Sequence, residues 1–431
     1  MPALMKALII DPALRSMGGH HYTATLTLKA ELSALGIDHA CLGSSFADAQ
    51  AIRDLGCTPC FTRSVYGRAY REPQEFSHGV RLARRELGLA LRGEGLSRPD
   101  LLILPCCDQV LALAVAQHLR RAWFTDALRG RLRRPPHILL WLLFGPHAKK
   151  ATDDPSLAPL YGECRGAFAA LRRAVGAERI RAFCETAGMA DAYRPVTGLD
   201  IGVAPGPGLA RETGLARETG PGLARQTAPV EKSCAQPPTV VCLGFANAAK
   251  GYRLLPGAIA QVLAGNRHVR FLVHGVFRGS DAQDQGPVFD RLAAMGPRVT
   301  VRTDVLSPAD YLAWLRQADL VLLPYDPEVY RTRGSGIFAE ARRLGIPAVA
   351  TRGCGFAAAA FRQGWGVAIA DYDDAGIARA VLQALGKLDL LTAQVPDAMD
   401  PDPGMILRAA IDAVGRRALR RKGRHLWEAS T

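Results

Sequence analysis

The chain has 431 residues, 48% of them hydrophobic, which is enough to bury the cores of two ordinary domains. This composition excludes a fibrous or wholly disordered protein. The formal net charge of +14 favours an anionic partner such as a nucleotide, a phospholipid surface or a nucleic acid, although an arginine-rich genome composition explains the charge equally well.

The cysteines and the N-terminus indicate a cytoplasmic protein. Ten cysteines are scattered, mostly in apolar stretches, where a reduced thiol acts as a small hydrophobe, so they do not form a secretory disulfide framework. Cys57 and Cys60 form a lone C-x-x-C, which is weak evidence of zinc or redox chemistry without a second pair. The apolar run Ala7–Ile10 is too short for a signal-peptide core, and Ile138–Phe144 is far below the roughly 20 residues of a membrane span. We therefore expect the protein to be cytoplasmic and at most peripheral at the inner face of the cell membrane.

Residues 1–204 alternate short apolar runs with amphipathic segments, the pattern of a Rossmann-like domain. A strand at Ala7–Ile10, a turn with Gly18 and Gly19, and a helix to about Leu35 form the first βα unit, in which glycines let the backbone approach a ligand. The later elements are predicted, in chain order, at His39–Gly43 (strand), 61–99 (basic helix), Asp100–Leu104 (strand), Val110–Arg121 (helix), His137–Phe144 (strand), Leu160–Val175 (helix), Arg179–Cys184 (strand) and Leu199–Ala204 (strand).

Three loop histidines in this domain are candidate contacts. His20 and His21 follow the glycine turn, and His147 lies just past the end of a strand, where open α/β sheets place their ligand contacts. For each of them the alternative is an ordinary surface residue.

The helix within 61–99 interleaves arginines with apolar residues. Such a basic amphipathic helix is a device for docking on anionic lipid, or else a surface helix with solvated arginines.

Residues 205–238 differ in composition from the domains on either side. The hexamer Gly-Leu-Ala-Arg-Glu-Thr occurs at 208–213 and 214–219, and a close variant occurs at 222–227, among several prolines. Three short polar repeats cannot stack into a solenoid, so we interpret the segment as a flexible linker that marks the domain boundary.

A second Rossmann-like domain is predicted over 239–400. Its first strand, Thr239–Leu243, leads into a loop that ends in Lys250 and Gly251, where a lysine is placed as a point charge for a phosphate. A helix from about Leu254 to Leu263 follows. The next strand, His268–Val273, ends in His274 and Gly275, and further elements are predicted at Val299–Arg302 (strand), Pro308–Gln317 (helix), Asp319–Leu323 (strand) and Ala375–Leu385 (helix).

The most informative stretch runs from Leu320 to Thr351. An apolar strand ends in a Pro-Tyr-Asp-Pro break, and a loop with Arg331 and Arg333 leads to a helix that starts at Ser335 and Gly336. A helix N-terminus flanked by guanidinium groups binds anionic oxygen. Glu340, one turn into the helix, is placed to reach a hydroxyl-rich ligand.

This stretch, with the second strand at Ile346–Thr351, resembles the donor-site motif of GT-B glycosyltransferases, specifically the large retaining family 4. The resemblance implies two Rossmann-like α/β domains whose parallel sheets face an interdomain cleft, with donor binding mainly on the second domain. It implies that Glu340 bonds the ribose of a nucleotide sugar while the loop and helix start hold the diphosphate and sugar. It also gives weight to Gly18 and Gly19, and to the turn His274-Gly275, as donor contacts, and to His147 as a catalytic residue near the donor sugar.

Two positions depart from that family's pattern. Thr332 stands where the family has a second Glu that contacts the donor sugar, and Phe245 stands where it has an Arg that pairs with the position of Lys250. We hypothesise that Arg331 or Arg333 supplies the second cation.

The C-terminal segment 401–431 is predicted to be a basic helix and tail. The resemblance implies that it crosses back onto the first domain, with a basic end that touches lipid. Nucleic-acid binding is a rival interpretation, but no recognition motif or aromatic interleaving favours it, and we expect no nucleic-acid partner.

We therefore predict a glycosyltransferase that moves a sugar from a nucleoside-diphosphate sugar to a glycan or lipid-linked acceptor of polysaccharide biosynthesis. Retention of configuration follows from the resemblance, Lys250 is predicted to stabilise the departing diphosphate, and no cofactor or metal is expected. The alternatives are a non-catalytic nucleotide-sugar-binding protein of the same fold and a nucleotide-sugar epimerase. A dehydrogenase is disfavoured because neither glycine turn has the G-x-G-x-x-G spacing.

Overall fold

The computed structural model describes residues 5–17, 20–64, 73–92, 99–129, 134–146, 158–207, 236–277, 280–396 and 405–412. These residues form two compact units, of which the first holds strands β1–β7 and the helical segment 405–412, and the second holds β8–β13. Each unit has one all-parallel sheet with helices on its faces.

The first unit is a seven-stranded sheet in the order β3-β2-β1-β4-β5-β6-β7. Its strands are β1 (Lys6–Ile10), β2 (Asp38–Ser44), β3 (Cys57–Phe61), β4 (Leu101–Leu104), β5 (His137–Leu142), β6 (Ile180–Cys184) and β7 (Ile201–Val203). Its helices are α1 (His20–Ala34), α2 (Ala49–Leu55), α3 (Pro73–Ala90), α4 (Gln109–Leu128), α5 (Ala158–Val175) and α6 (Ala187–Thr197).

Both faces of the first sheet are buried, which explains the continuous apolar runs in its sequence. In β1, Leu8 and Ile10 enter one core cluster, whereas Ala7 and Ile9 enter a second cluster on the opposite face. The segment 405–412 completes that second cluster with buried apolar side chains, and its Arg408 forms an ion pair of 3.1 Å with a carboxylate of α1. The chain therefore returns to its first unit after building the second.

The second unit is a six-stranded sheet in the order β10-β9-β8-β11-β12-β13. Its strands are β8 (Thr239–Cys242), β9 (Arg270–His274), β10 (Val299–Arg302), β11 (Leu320–Leu323), β12 (Ala348–Thr351) and β13 (Gly366–Ile369). Its helices are α7 (Leu255–Gly265), α8 (Ser280–Ala293), α9 (Pro308–Arg316), α10 (Pro327–Tyr330), α11 (Gly336–Arg343), α12 (Ala358–Gln363), α13 (Asp374–Leu385) and α14 (Leu388–Ala393). The chain leaves β8 toward β9 on one side and later adds β11 on the other, so the carboxyl ends of β8 and β11 form the switch point of the sheet.

The predicted alternation of strands and helices is confirmed, but several elements were missed. Strand β3 contains the C-x-x-C and a proline, which a sheet tolerates because β3 lies at its edge. Helix α6 accommodates Pro195 within its last turn, and β13 is a four-residue strand that begins at a glycine. The predicted linker lies almost wholly outside the described residues, as does the basic tail after 412.

Among the described helices, none is both long and apolar enough to cross a membrane.

Candidate functional site

The loops at the carboxyl ends of β8, β9 and β11 are joined by backbone hydrogen bonds in the second unit. The N–H of Ala246 donates to the carbonyl of Val276 at 2.8 Å, and the N–H of Val276 donates to Gly244 at 3.1 Å. On the other side, the N–H of Asp326 donates to the carbonyl of Ala249 at 2.9 Å. The loop after β8 is therefore fixed against both of its neighbours at the switch point, which is where open α/β sheets bind ligands.

Lys250 ends a short 3₁₀ turn in this loop, and its ammonium group lies within the site. Nζ is 5.3 Å from the centre of the Tyr325 ring, and a Cβ added at Gly244 would lie 2.9 Å from Nζ and 3.0 Å from Cδ1 of Ile337. Within the described part of the chain, no carboxylate forms an ion pair with Lys250. Burial lowers the pKa of Lys250 to about 8, so the site holds a cation that an anionic ligand would stabilise.

Gly251 fixes the position of that lysine. Its φ of +69° is unfavourable for a side chain, and a Cβ there would lie 1.9 Å from the carbonyl oxygen of Pro324. The predicted importance of this glycine therefore has a packing cause, because the turn can pass the end of β11 only without a side chain.

The N-terminus of α11 faces the same place. Ser335 is its N-cap, with a side-chain oxygen that accepts from the N–H of Phe338 at 3.3 Å. The amides of Gly336 and Ile337 precede the first helical hydrogen bonds and carry the positive end of the helix dipole. A Cβ added at Gly336 would meet no atom within 4 Å, so this end of the helix borders open space.

Glu340 is half-buried and already bonded within the protein. The Tyr311 hydroxyl donates to Oε2 of Glu340 at 2.5 Å. Burial, followed by the negative charge of Glu340, raises the pKa of Tyr311 well above its usual value, so Tyr311 remains a donor and orients the carboxylate.

The two arginines of the loop after β11 are engaged locally. Arg331 forms an ion pair of 2.6 Å with Glu328, and the guanidinium of Arg333 lies 5.8 Å from the centre of the Tyr330 ring. The ion pair offsets the charge of Arg331, which weakens it as the hypothesised replacement for the missing family arginine.

His274 and Gly275 form the turn after β9. His274 is 4% exposed and donates from Nε2 to the carbonyl of Asp304 at 2.8 Å, while burial lowers the pKa of its ring below the usual value, so the ring is neutral. A Cβ on Gly275 would lie 2.2 Å from the Phe289 ring, so this glycine too is required by packing.

Several buried polar atoms at this edge lack a protein partner within the described residues. They are Oδ1 of Asn247, Nδ1 of His274, Oγ1 of Thr351 and the hydroxyl of Tyr372. Buried polar groups in folded proteins are nearly always hydrogen-bonded, so their concentration at one edge favours a polar ligand or water there.

The two departures from the family pattern also lie at this edge. Phe245 is 44% exposed and pairs through its backbone with Val276. The Cα of Thr332 lies 3.5 Å from the position that a Cβ on Gly355 would occupy, so the loop after β12 supports this position.

Sequence reasoning missed Tyr325 and Tyr311. Tyr325 sits in the Pro-Tyr-Asp-Pro break directly after β11, which is a recognisable position, whereas nothing local to Tyr311 signals its contact with Glu340. Gly18, Gly19 and His147 lie outside the described residues, so their predicted roles stay predictions.

The carboxyl edge of the first sheet is chemically different. Asp11, after β1, is fully buried and lies 2.8 Å from Nδ1 of His21, the second residue of α1. Asp108 caps α4, and Glu185 accepts from the N–H of Gly206 at 3.4 Å. Burial raises the pKa of both Asp108 and Glu185 to about 7.

Residues 237–387 match the family model described as Glycosyl transferases group 1. No curated protein matches the chain by sequence.

Solved structures resemble the chain over nearly its whole length. A glycosyltransferase from Rickettsia africae shares 10% identity with a TM-score of 0.56 and covers 99% of this chain and 98% of its own. Anabaena HepE, in complex with UDP and glucose, shares 14% sequence identity with this chain at a TM-score of 0.54, and the match covers 97% of this chain and 99% of HepE. A protein from Listeria monocytogenes assigned as a UDP-N-acetylglucosamine 2-epimerase shares 11% sequence identity with this chain at a TM-score of 0.58. The match covers 96% of each chain.

At these identities the structural likeness establishes the fold, and the family match lies on the unit that carries Lys250 and the N-terminus of α11. The expectation drawn from the donor-site motif is confirmed at this level: the chain has the GT-B fold, and residues 237–387 of its second unit are similar to glycosyl transferases group 1.

Proposed function

We propose that the protein transfers a sugar from a nucleoside-diphosphate sugar, bound on the second unit, to an acceptor hydroxyl. The observation that carries this proposal is the convergence of the Lys250 ammonium and the α11 N-terminus at the switch point of the sheet. An ammonium group without an ion-pair partner among the described residues, beside a helix start, suits the diphosphate of such a donor.

Charge on the leaving group is the main requirement of the reaction. As the bond from the anomeric carbon to the diphosphate oxygen breaks, negative charge accumulates on that oxygen, and Lys250 with the amides of Gly336 and Ile337 stabilises it. The acceptor oxygen forms the new bond to the anomeric carbon and gives its proton to the departing diphosphate oxygen. Glu340, oriented by Tyr311, accepts a hydrogen bond from a ribose hydroxyl and fixes the donor for this step.

Retention of configuration is the outcome that the family resemblance implies, and we adopt it as part of the proposal. Thr332 supplies a hydroxyl where the family has a carboxylate, so its contact with the donor sugar is a neutral hydrogen bond. No metal enters this scheme, because the positive charge comes from Lys250 and the helix N-terminus.

The acceptor is proposed to be a glycan or a lipid-linked sugar of polysaccharide synthesis, reached from the cytoplasmic side by a peripheral protein. The support for this part is the family resemblance and the basic composition of the chain.

A thermal-shift screen against UDP, GDP, ADP and their sugar conjugates tests the donor site. At a ligand concentration 100-fold above Kd, binding stabilises the folded protein by about 2.7 kcal/mol, so one nucleotide should raise Tm saturably. Lys250→Ala and Glu340→Ala should abolish the shift. Lys387→Ala, a change at an exposed lysine after α13, is the matched control and should leave it intact. Absence of stabilisation by every nucleotide and sugar conjugate would overturn the proposed donor site.

An epimerase is the second candidate, because the Listeria monocytogenes structure matches as well as the glycosyltransferases do. Donor consumption separates the two, since a transferase turns over faster with acceptor present. An epimerase would convert the nucleotide sugar to its epimer at a rate that added glycans leave unchanged.

A further inference from the structure

The second half of α4 (Gln109–Leu128) is exposed on nearly every side, unlike its first half. The buried residues of the helix end at Ala116, and the turns after it carry three exposed apolar side chains: Trp123 (55%), Phe124 (61%) and Leu128 (74%). Single exposed apolar side chains are normal on a protein surface, whereas a cluster of large ones marks an interaction site.

This part of the helix extends past the end of α3. Gly88, near the end of α3, lies against His118, so the ten residues 119–128 continue beyond the contact for about 15 Å. Because crossover helices run antiparallel to the strands, α4 ends beyond the amino ends of the first sheet. The exposed patch therefore lies at the opposite edge from the loops where this unit places Asp11 and Glu185.

The patch is also basic. Arg120 and Arg121 are exposed within one turn of the aromatic side chains, and Arg129 is exposed at the end of the helix. Within the described residues none of the three forms an ion pair. Asp126 is the one acidic residue between 119 and 129, and it is half-buried.

We infer that this patch of α4, defined by Arg120, Arg121, Trp123, Phe124, Leu128 and Arg129, docks the protein on an anionic phospholipid bilayer. Indole and phenyl rings settle at the headgroup boundary while guanidinium groups bind lipid phosphates, and this patch presents both on one projecting helix end. A second copy of the chain fits poorly, because a symmetric contact would set arginines against arginines.

The inference assigns membrane contact to a different element from the one expected in the sequence. Helix α3 uses its apolar face, with Phe76, Val80 and Leu87, to cover the core, so its exposed side offers arginines but few apolar groups. The bilayer contact is independent of the donor site, and it survives even if the proposed activity is wrong.

Co-sedimentation of the full-length chain with vesicles tests the inference. Vesicles of phosphatidylcholine with 30% phosphatidylglycerol should bind the protein, and pure phosphatidylcholine vesicles should bind it at least tenfold more weakly. Trp123→Ser with Phe124→Ser should lower binding to the anionic vesicles at least tenfold. Arg120→Glu with Arg121→Glu should lower it further, because removing a single basic residue near such a surface already costs about fivefold.

Phe46→Ser is the matched control, since Phe46 is 64% exposed and also lies beside an arginine, Arg15, at 5.7 Å. It should change vesicle binding less than twofold. In a separate readout, vesicles containing brominated lipid should quench tryptophan fluorescence of the wild type, and Trp123→Phe should remove that quenching while binding persists.

If the wild-type protein binds neither kind of vesicle, the inference is overturned and the patch is assigned to a protein partner. Equal binding by the Trp123/Phe124 variant and the wild type overturns it as well, and assigns lipid contact to another basic region. Unchanged melting temperatures of the variants establish that the comparison concerns folded proteins.

Discussion

The carboxyl edges of the two sheets are built alike but charged in opposite ways. At the first edge the buried carboxylate of Asp11 is paired with His21, and Asp108 and Glu185 accept backbone hydrogen bonds. At the second edge Lys250 supplies a half-buried cation, which has an aromatic ring but no carboxylate partner in the described residues. The carboxylates of the first edge already have partners within the protein, whereas an added anion would stabilise the second edge.

This difference matches the two substrates of the proposed transfer reaction. A diphosphate donor needs an uncompensated cation and free helix amides, while a neutral hydroxyl acceptor needs hydrogen-bonding groups without excess positive charge. The same sheet topology therefore supports two kinds of site, and the loop residues decide which kind forms.

The largest effect is expected where the second edge depends on close backbone contact. Gly251→Ala should lower the free energy of unfolding of the second unit by about 4 kcal/mol, because it combines a positive φ with a clash against the Pro324 carbonyl. Denaturant unfolding followed by circular dichroism measures this. Gly336→Ala is the control and should change stability by less than about 0.5 kcal/mol, since its Cβ meets no atom within 4 Å. Similar losses for both variants would contradict the packing account of the loop.

Asp11→Ala tests whether the buried carboxylate at the first edge stabilises the fold without binding the donor. Removing this fully buried carboxylate breaks the contact with His21 and the bond to the N–H of Ala13, and should destabilise the protein by about 3 kcal/mol. Nucleotide affinity, measured by calorimetry on the folded variant, should stay within twofold of the wild type. A large loss of nucleotide affinity with little loss of stability would mean that this edge also binds the donor.

Phe245→Arg introduces the residue that the family pattern has at this position and adds positive charge to the second edge. A second cation beside Lys250 should raise the affinity for the nucleoside diphosphate about tenfold through a charge-assisted contact. Isothermal titration calorimetry measures this, with Phe245→Ala as the control that removes the ring without adding charge. Equal affinities for the two variants would show that an arginine at this position does not reach the diphosphate.

The smallest effect concerns pH. Because burial lowers the pKa of Lys250 to about 8, the unfolded chain binds more protons than the folded protein between about pH 8 and pH 10.5. Stability should therefore rise with pH across that window by on the order of 1 kcal/mol relative to Lys250→Met, and diphosphate affinity should fall over the same range as the ammonium loses its proton. Melting curves and titrations at pH 7.5 and 9.5 measure both. Parallel pH profiles of stability for wild type and variant would show that Lys250 ionises as an ordinary exposed lysine.

Most of the fold could be predicted from local pattern. The apolar runs of β1, β4, β5, β8, β9 and β11 are continuous because both faces of each sheet are covered, and this makes them visible in sequence. Helix α6 and strand β3 were missed because a proline ordinarily argues against each element, and only their positions at a helix end and a sheet edge make it acceptable.

The site was predicted less completely than the fold. Lys250, Ser335 and Glu340 belong to recognisable loop and helix-start patterns, and the structure places all three in the second unit near the carboxyl edge of its sheet. The engagement of Arg331 by Glu328 and of Glu340 by Tyr311 was not predicted, because rotamers and loop packing determine such contacts.

Residue order and composition were enough to identify alternating strands and helices, the glycine-bearing loops and the lysine suited to a phosphate, because each of these is a property of neighbouring residues. The tertiary structure decided which charges are paired, why Gly251 and Gly275 cannot carry a side chain, and that the end of α4 is left exposed. Those properties depend on contacts between segments far apart in the chain, and a contact of that kind exists only once the sheet has brought its loops to a common edge.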